Sequence, residues 1–354
     1  MADFTPSNLV KGQALFNQRY KSGEWRIPDT AALSVAFNGE KANPMFADLR
    51  KREDRSVSGY FPTRKAKSAA TARAYNHTGT TGDSLESPIT WQTSIDTFSI
   101  SLKQNDNNII SYEENWAAQM QNTIFNILTD AESKFITNLI ADRTQVNVNG
   151  TPMTWDGLDY VLENAIAEKD HFFQYIKANM NQNLYKGQIT VVADSLAGIF
   201  AAQQVQQGSG NATNLGWQFQ NMNIAQSTNS ILSGLTDTYV GAALAFPTDL
   251  VGIVPWIPKQ NRKPLDPVKA MSYNGDFGQI DVPIYDAMGN IAYTLPVAIH
   301  MYAERADASG SNGSAQDVVM QVELSLDTAY VSAPLSAFRG ANDSVVYGYG
   351  QKSV

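Results

Sequence analysis

The chain has no cysteine among its 354 residues, which removes disulfides and cysteine-ligated metals together. Histidine is almost as scarce. There are three (His77, His171 and His300), and none has a second histidine at metal-ligand spacing, such as four residues away. No stretch approaches about eighteen consecutive apolar residues, so no segment reads as a membrane-spanning helix. The opening Met-Ala-Asp-Phe-Thr lacks a basic region followed by an apolar one, so the chain is expected to be cytosolic where it is made. Catalytic motifs are missing as well: there is no Walker A lysine, no Gly-x-Ser-x-Gly elbow and no ordered calcium loop. Gly208-Ser-Gly210 begins like a nucleotide loop, but it follows an expected helix, whereas phosphate binding needs the N-terminal end. The paired carboxylates Glu53-Asp54 and Glu113-Glu114 have electrostatic explanations, as local ion pairs with Arg and as favourable charges at a helix start. The six tryptophans (Trp25, Trp91, Trp116, Trp155, Trp217 and Trp256) are scattered and read as core or interface anchors. No catalytic residue, cofactor or metal site is expected, and the chain is not read as an enzyme.

The charge that is present is unevenly spread. Residues 1–73 hold 13 Lys and Arg against 7 Asp and Glu, whereas residues 74–354 hold 13 against 27. A basic segment joined to an acidic body can mark an arm for an acidic partner, either nucleic acid or the body of a neighbouring copy, with solvated charge on a loose terminus as the plain alternative. Eight of the basic residues fall within 50–73, with almost no aliphatic side chains to bury. Arg50, Lys51, Arg52, Arg55, Arg64 and Lys65 are the candidate contact residues.

Apolar periodicity organises the rest. From Ser111, about thirty residues run without Pro or Gly. Ser111 and Glu114 have capping-box spacing. Trp116, Met120, Ile124, Ile127, Leu128, Ala131, Phe135 and Leu139 then recur at three- and four-residue steps, which predicts one long amphipathic helix. Before it, residues 1–45 have sparse apolar anchors separated by Pro6, Pro28 and Pro44. They read as an extended arm with one short helix near 7–18. Residues 48–104 read as a two-stranded excursion. Within it, Ile89, Trp91 and Ile95 sit on one parity and Phe98, Ile100 and Leu102 on the other, which predicts a bulge or a change of face. Beyond the long helix, Leu158, Val161, Leu162 and Ile166 have helical spacing, predicting a second helix over 155–169. Ile189–Ala193 reads as a buried strand followed by a helix capped at Asp194-Ser195. Alternation over 291–301 and 320–326 predicts two long strands, each with one buried face, joined by the polar tip 308–315.

This order of elements resembles that of the major capsid proteins of tailed bacteriophages, the family with the HK97-type fold. The likeness lies in element order over nearly the whole chain and in the closing stretch Val318–Pro334 followed by Phe338. It implies an α+β fold with an N-terminal arm over 1–47 and an extended β-hairpin loop over 48–108. A peripheral domain with the long spine helix would occupy 109–185, an axial domain 186–295, and the return to the peripheral domain 296–354. The function implied is a structural subunit that self-assembles, through pentamers and hexamers, into an icosahedral shell enclosing double-stranded DNA. Implied partners are further copies of itself, other capsid, portal or scaffolding proteins, and packaged DNA held without sequence specificity, with no membrane. The implied location is the virion capsid, assembled in the host cytoplasm. Any scaffold is expected as a separate protein, since the chain passes almost directly into the arm. Two alternatives stay open: an encapsulin-type nanocompartment shell, and a cytosolic enzyme whose site has no recognisable motif.

Overall fold

A computed structural model describes residues 6–22, 27–42, 58–62, 73, 75–76, 79, 84–101, 110–147, 153–163, 171–199, 221–228, 231, 239–286, 289–306, 317–333 and 344–352. Its elements run α1 (Pro6–Ser22), α2 (Ala31–Ala42), β1 (Ser58–Pro62), β2 (Ser84–Pro88), β3 (Thr90–Ser101), α3 (Tyr112–Ala141), β4 (Thr154–Trp155), β5 (Asp159–Leu162) and α4 (Phe172–Gln182). They continue β6 (Ile189–Ala193), β7 (Met222–Gln226), β8 (Tyr239–Pro247), β9 (Val251–Trp256), β10 (Asp276–Tyr285), β11 (Ile291–Ala306), β12 (Asp317–Ser332) and β13 (Tyr347–Lys352). The protein is therefore mixed helix and sheet.

The long helix forms where its stripe predicts. All eight stripe residues from Trp116 to Leu139 are 3% exposed or less. Ser111 Oγ accepts a hydrogen bond from the Glu114 N–H at 3.2 Å, a cap worth about 1 kcal/mol. The Glu114 carboxylate lies 3.5 Å from Arg19 Nη2 on α1, so it serves a tertiary contact as well as the helix dipole.

The helix expected near 7–18 forms as α1, over 6–22, and residues 31–42, read as extended, are helical too. Pro6 occupies the first helical position, where its missing N–H costs nothing, and Leu9 and Phe16, seven residues apart on one helix face, are buried. Short helices of this length owe their stability to such a buried face rather than to propensity.

Two further expectations are corrected. β3 runs unbroken from Thr90 to Ser101 with Ser94, Phe98 and Ile100 buried and Ile95 57% exposed. There is one buried parity, and Ile95 is an apolar residue on the solvent side; no change of face is needed. β3 also belongs to a larger sheet, and β1 and β2 form a two-stranded ladder by themselves among the described residues. The second correction concerns 155–169. Its described part is β4 and β5, and Asp159 to Leu162 are buried on both faces. Pairing with β13 on one side and β4 on the other overrides the helical spacing of Leu158, Val161 and Leu162.

The chain divides into two units, each assembled from three separated segments. The first comprises Met1–Thr30, Gln92–Glu132 and Pro255–Thr328; the second comprises Ala31–Trp91, Ser133–Val254 and Ala329–Val354. Strands of the first unit lie in the order β10–β11–β12–β3. Val282, Ile284, Leu295, Val297, Ile299, Met301, Met320, Val322, Leu324, Phe98 and Ile100 make its buried face. An Asn126–Asp96 hydrogen bond of 2.8 Å ties α3 to β3 on that side. The second unit contains a six-stranded sheet ordered β4–β5–β13–β8–β6–β7. Phe172, Phe173, Ile176 and Met180 of α4 pack there with Val191, Ala243, Tyr347 and Tyr349. Asp194 Oδ1 accepts from the Ala197 N–H at 2.7 Å, the expected cap after β6.

Candidate functional site

Arg50, Lys51, Arg52, Arg55, Arg64 and Lys65 lie outside the described residues, as do His77, Trp25, Trp217 and the polar tip 308–315. His171 pairs with Gln174 Oε1 at 3.1 Å, and among the described residues no group of His, Asp and Glu could hold a metal ion. Trp116 is fully buried and Trp256 is 8% exposed, while Trp155 packs on Tyr160 with ring centroids 4.8 Å apart; these tryptophans anchor cores.

Sequence reasoning missed two arrangements. The first is the outward face of the first unit's sheet. Directly paired residues on neighbouring antiparallel strands point to the same side. Phe277 pairs with His300 and His300 with Glu323, giving a row across β10, β11 and β12. The adjacent rows place Tyr302 beside Gln321, and Ala298 between Gln279 and Ser325. The Phe277 and His300 rings are stacked, 4.2 Å between centroids and 11° between planes, and Tyr302 lies 5.4 Å beyond His300. Glu304 and Glu323 are exposed, and Gln321 Nε2 reaches Glu304 Oε2 at 3.4 Å. On these three strands the outward positions 277–281, 296–304 and 319–327 carry no Lys or Arg. The face is an aromatic strip edged with carboxylates. Period-two alternation identified β11 and β12 as half-exposed strands, but the register that lines up these side chains is set by pairing and is not written in either strand alone.

The second arrangement is a buried charge pair. Asp159, at the start of β5, is fully buried. Its Oδ2 lies 3.4 Å from Arg143 Nη1, just beyond the end of α3, and neither carboxylate oxygen has a hydrogen bond. Burial outweighs the Arg143 charge and pushes the Asp159 carboxyl up to about 6, with Asp156 adding to the rise. For Asp156 itself, burial acts upward too. A hydroxyl hydrogen bond from Tyr239, the Asp159 and Leu158 N–H groups, and Lys352 outweigh it and hold this carboxyl below its ordinary value. Gly348 on β13 is required here, because a Cβ at that position would fall on Asp159 Oδ1.

The sign of the resulting pH dependence is fixed. Between the ordinary 3.8 and about 6, folded Asp159 keeps a proton that the unfolded chain has released. Stability is therefore fullest below about pH 4 and falls as pH rises through 6, by about 3 kcal/mol in all from this group. Asp142 and Asp194, both raised chiefly by burial, act in the same direction. Urea midpoints measured from pH 4 to 8 should decline, and Asp159→Asn should flatten the decline. An undiminished slope in the variant would remove Asp159 as its source.

The first unit also holds a cavity of about 570 Å³, lined by Leu9, Phe16, Trp116, Leu265, Pro283 and Ile291 with a few polar side chains including Gln13 and Asp281.

No protein-family model matches the chain, and no curated protein matches it. Among solved structures it is similar to one titled Mycobacterium phage Che8, at 11% identity and a TM-score of 0.45 over 86% of this chain and 90% of that one. It is also similar to the capsid of cyanophage P-SCSP1u, at 12% identity and a TM-score of 0.41 over 86% of each chain. A third is the mature capsid of bacteriophage PhiM1, at 11% identity and 0.39 over 85% of this chain and 84% of that one.

Proposed function

We propose that this chain is the structural subunit of an HK97-type capsid, self-assembling through pentamers and hexamers into an icosahedral shell around double-stranded DNA. The observation that carries this reading is the order of elements around the long helix. A two-stranded ladder, β1–β2, which pairs with no other described strand, is followed in chain order by β3 and then by the 30-residue α3. An α/β body comes next, and two 16-residue antiparallel strands, β11 and β12, bring the chain back. On this reading 1–47 is the arm, 48–108 the extended loop, 109–185 and 296–354 the peripheral domain, and 186–295 the axial domain.

Physical reasoning supports the same conclusion. An isolated two-stranded ladder is marginal in water, so β1–β2 requires a surface beyond itself. Neighbouring copies in a shell would supply one. The acidic body and basic N-terminal segment give like copies a complementary pair of surfaces. Portal and scaffolding proteins would be the further partners, and the assembly site the host cytoplasm. No described helix is long and apolar enough to cross a membrane.

Purified chain at micromolar concentration is expected to sediment in the megadalton range and to show closed shells in electron micrographs. A monodisperse species near the 38.7 kDa of one chain under all assembly conditions would defeat the proposal.

A further inference from the structure

We propose that the cavity of the first unit is a binding site for a small amphiphilic cation, an ammonium group carried on an apolar body. The cavity is about 570 Å³, within the span of roughly 300–1,000 Å³ that small-molecule sites occupy. Its wall changes character from inside to outside. Leu9, Phe16 and Trp116 are buried, whereas Asp281 and Thr294 are exposed at the rim. Among the described residues that line it, Asp281 is the one charged group, and there is no Lys, Arg or His. A phosphate or carboxylate ligand would therefore meet a like charge and no compensating cation. A neutral hydrophobe would use the apolar wall and leave the Asp281 carboxylate unused. An ammonium on an apolar body matches both parts of the site. The Trp116 indole adds a further polar requirement. Its N–H is buried without a hydrogen-bond partner, and a buried donor of that kind calls for an acceptor. An ether or hydroxyl oxygen on the ligand body would supply one.

The wall is a fitted surface, held from both sides. Gly12 lets α1 lie close against the indole, since a Cβ there would come within 3.2 Å of Trp116 Cε3. Arg19 of α1 also reaches Glu114 of α3 at 3.5 Å. Opposite them, Asp281 and Pro283 come from β10 and Thr294 from β11, with Pro283 and Thr294 directly paired. Leu265 is pressed onto the same strand: a Cβ on Gly278 would fall 2.6 Å from the Leu265 backbone nitrogen. The Gln279 N–H donates to the Lys263 carbonyl at 2.9 Å and fixes that approach. Stretches far apart in the chain thus share one cavity, and a ligand in it touches all of them. The helix α1 gains most, because a helix of its length depends on what its apolar face contacts.

Calorimetric titration of the whole chain with three probes of one shape tests this. Phenoxypropylamine, phenoxypropanol and phenoxypropanoate share an aromatic ring and an ether acceptor and differ in charge at the far end. The amine is expected to bind about threefold to fivefold more tightly than the alcohol, the ratio that an exposed ion pair supports, and the carboxylate to bind most weakly. Asp281→Asn should bring amine and alcohol to within about twofold of each other. Thr294→Trp, at the exposed rim, should crowd the mouth and weaken all three by about tenfold. Circular dichroism should show both variants folded. Bound amine should also slow amide hydrogen exchange in α1. Failure of all three probes to bind at millimolar concentration overturns the proposal. So does equal affinity for amine and alcohol, or an amine preference that survives Asp281→Asn. Binding untouched by Thr294→Trp would place the contact elsewhere and overturn it too. These readouts are independent of whether the chain builds shells.

Discussion

Replacing Arg143 by alanine is expected to lower stability by about 3–5 kcal/mol at pH 8, the range for removing one partner of a buried ion pair. The cost comes from what is left behind. Asp159 is fully buried, its two oxygens have no hydrogen bond, and Arg143 is the opposite charge beside it, itself only 11% exposed in its side chain. Without that guanidinium the carboxyl can escape the penalty only by holding its proton to still higher pH. The loss in Arg143→Ala should therefore be smaller at pH 5 than at pH 8, and the pH dependence of unfolding should steepen. Adding Asp159→Leu to the same chain removes the stranded charge and should recover most of the loss. Urea melts of the two variants at both pH values make the check. A loss of under 1 kcal/mol for Arg143→Ala at pH 8 would mean that water or another cation compensates Asp159. A double variant as unstable as the single would show that Arg143 acts through packing instead.

The second large effect concerns assembly. Reversing Arg50, Lys51 and Arg52 to glutamate is expected to leave a folded subunit and to block or misdirect shell formation. The sequence around them has almost no aliphatic side chains to bury, so the expected cost to folding is small. An exposed ion pair contributes only about 0.2–1 kcal/mol. Contacts of that size, repeated at every interface of a closed shell, set register and encounter. Raised salt should weaken assembly of the unaltered chain in the same sense, because solvent-exposed charges are screened within about 10 Å at 0.1 M. Electron microscopy and sedimentation provide the readout. Shells of ordinary size from the triple variant, empty of DNA, would assign these residues to the packaged nucleic acid and end their intersubunit role.

Legibility in the sequence followed the locality of the forces. The long helix was readable because its cap and its stripe are both local: Ser111 needs only Glu114, and Trp116 through Leu139 need only each other. β11 and β12 were readable for the same reason, since alternation is visible within a strand. β5 was not. Asp159 to Leu162 become a strand because β13 lies alongside them, almost two hundred residues later in the chain, and nothing near position 160 announces that partner. The alternation Tyr347-Gly-Tyr-Gly350 is a period-two signal that would have identified β13 itself. It also places glycine where Asp159 and the Tyr239 ring come close to the backbone. The Arg143–Asp159 pair and the aromatic–acidic strip belong to tertiary pairing in the same way. The first arm helix was legible, if short, because Leu9 and Phe16 fall on one side of it, whereas α2 lay in a stretch read as extended between Pro28 and Pro44.

The place of β13 also governs how the chain is made. It lies inside its sheet, parallel to β5 on one side and antiparallel to β8 on the other. During translation both of those neighbours emerge long before it does, and each waits with an unpaired row of N–H and C=O groups. A ribosome-bound chain thus carries two open strand edges through roughly the last third of its synthesis, the state in which nascent proteins pair wrongly or call on chaperones. Only when residues 347–352 arrive can the sheet close, so a product cut short before them would be left with an empty slot through its middle.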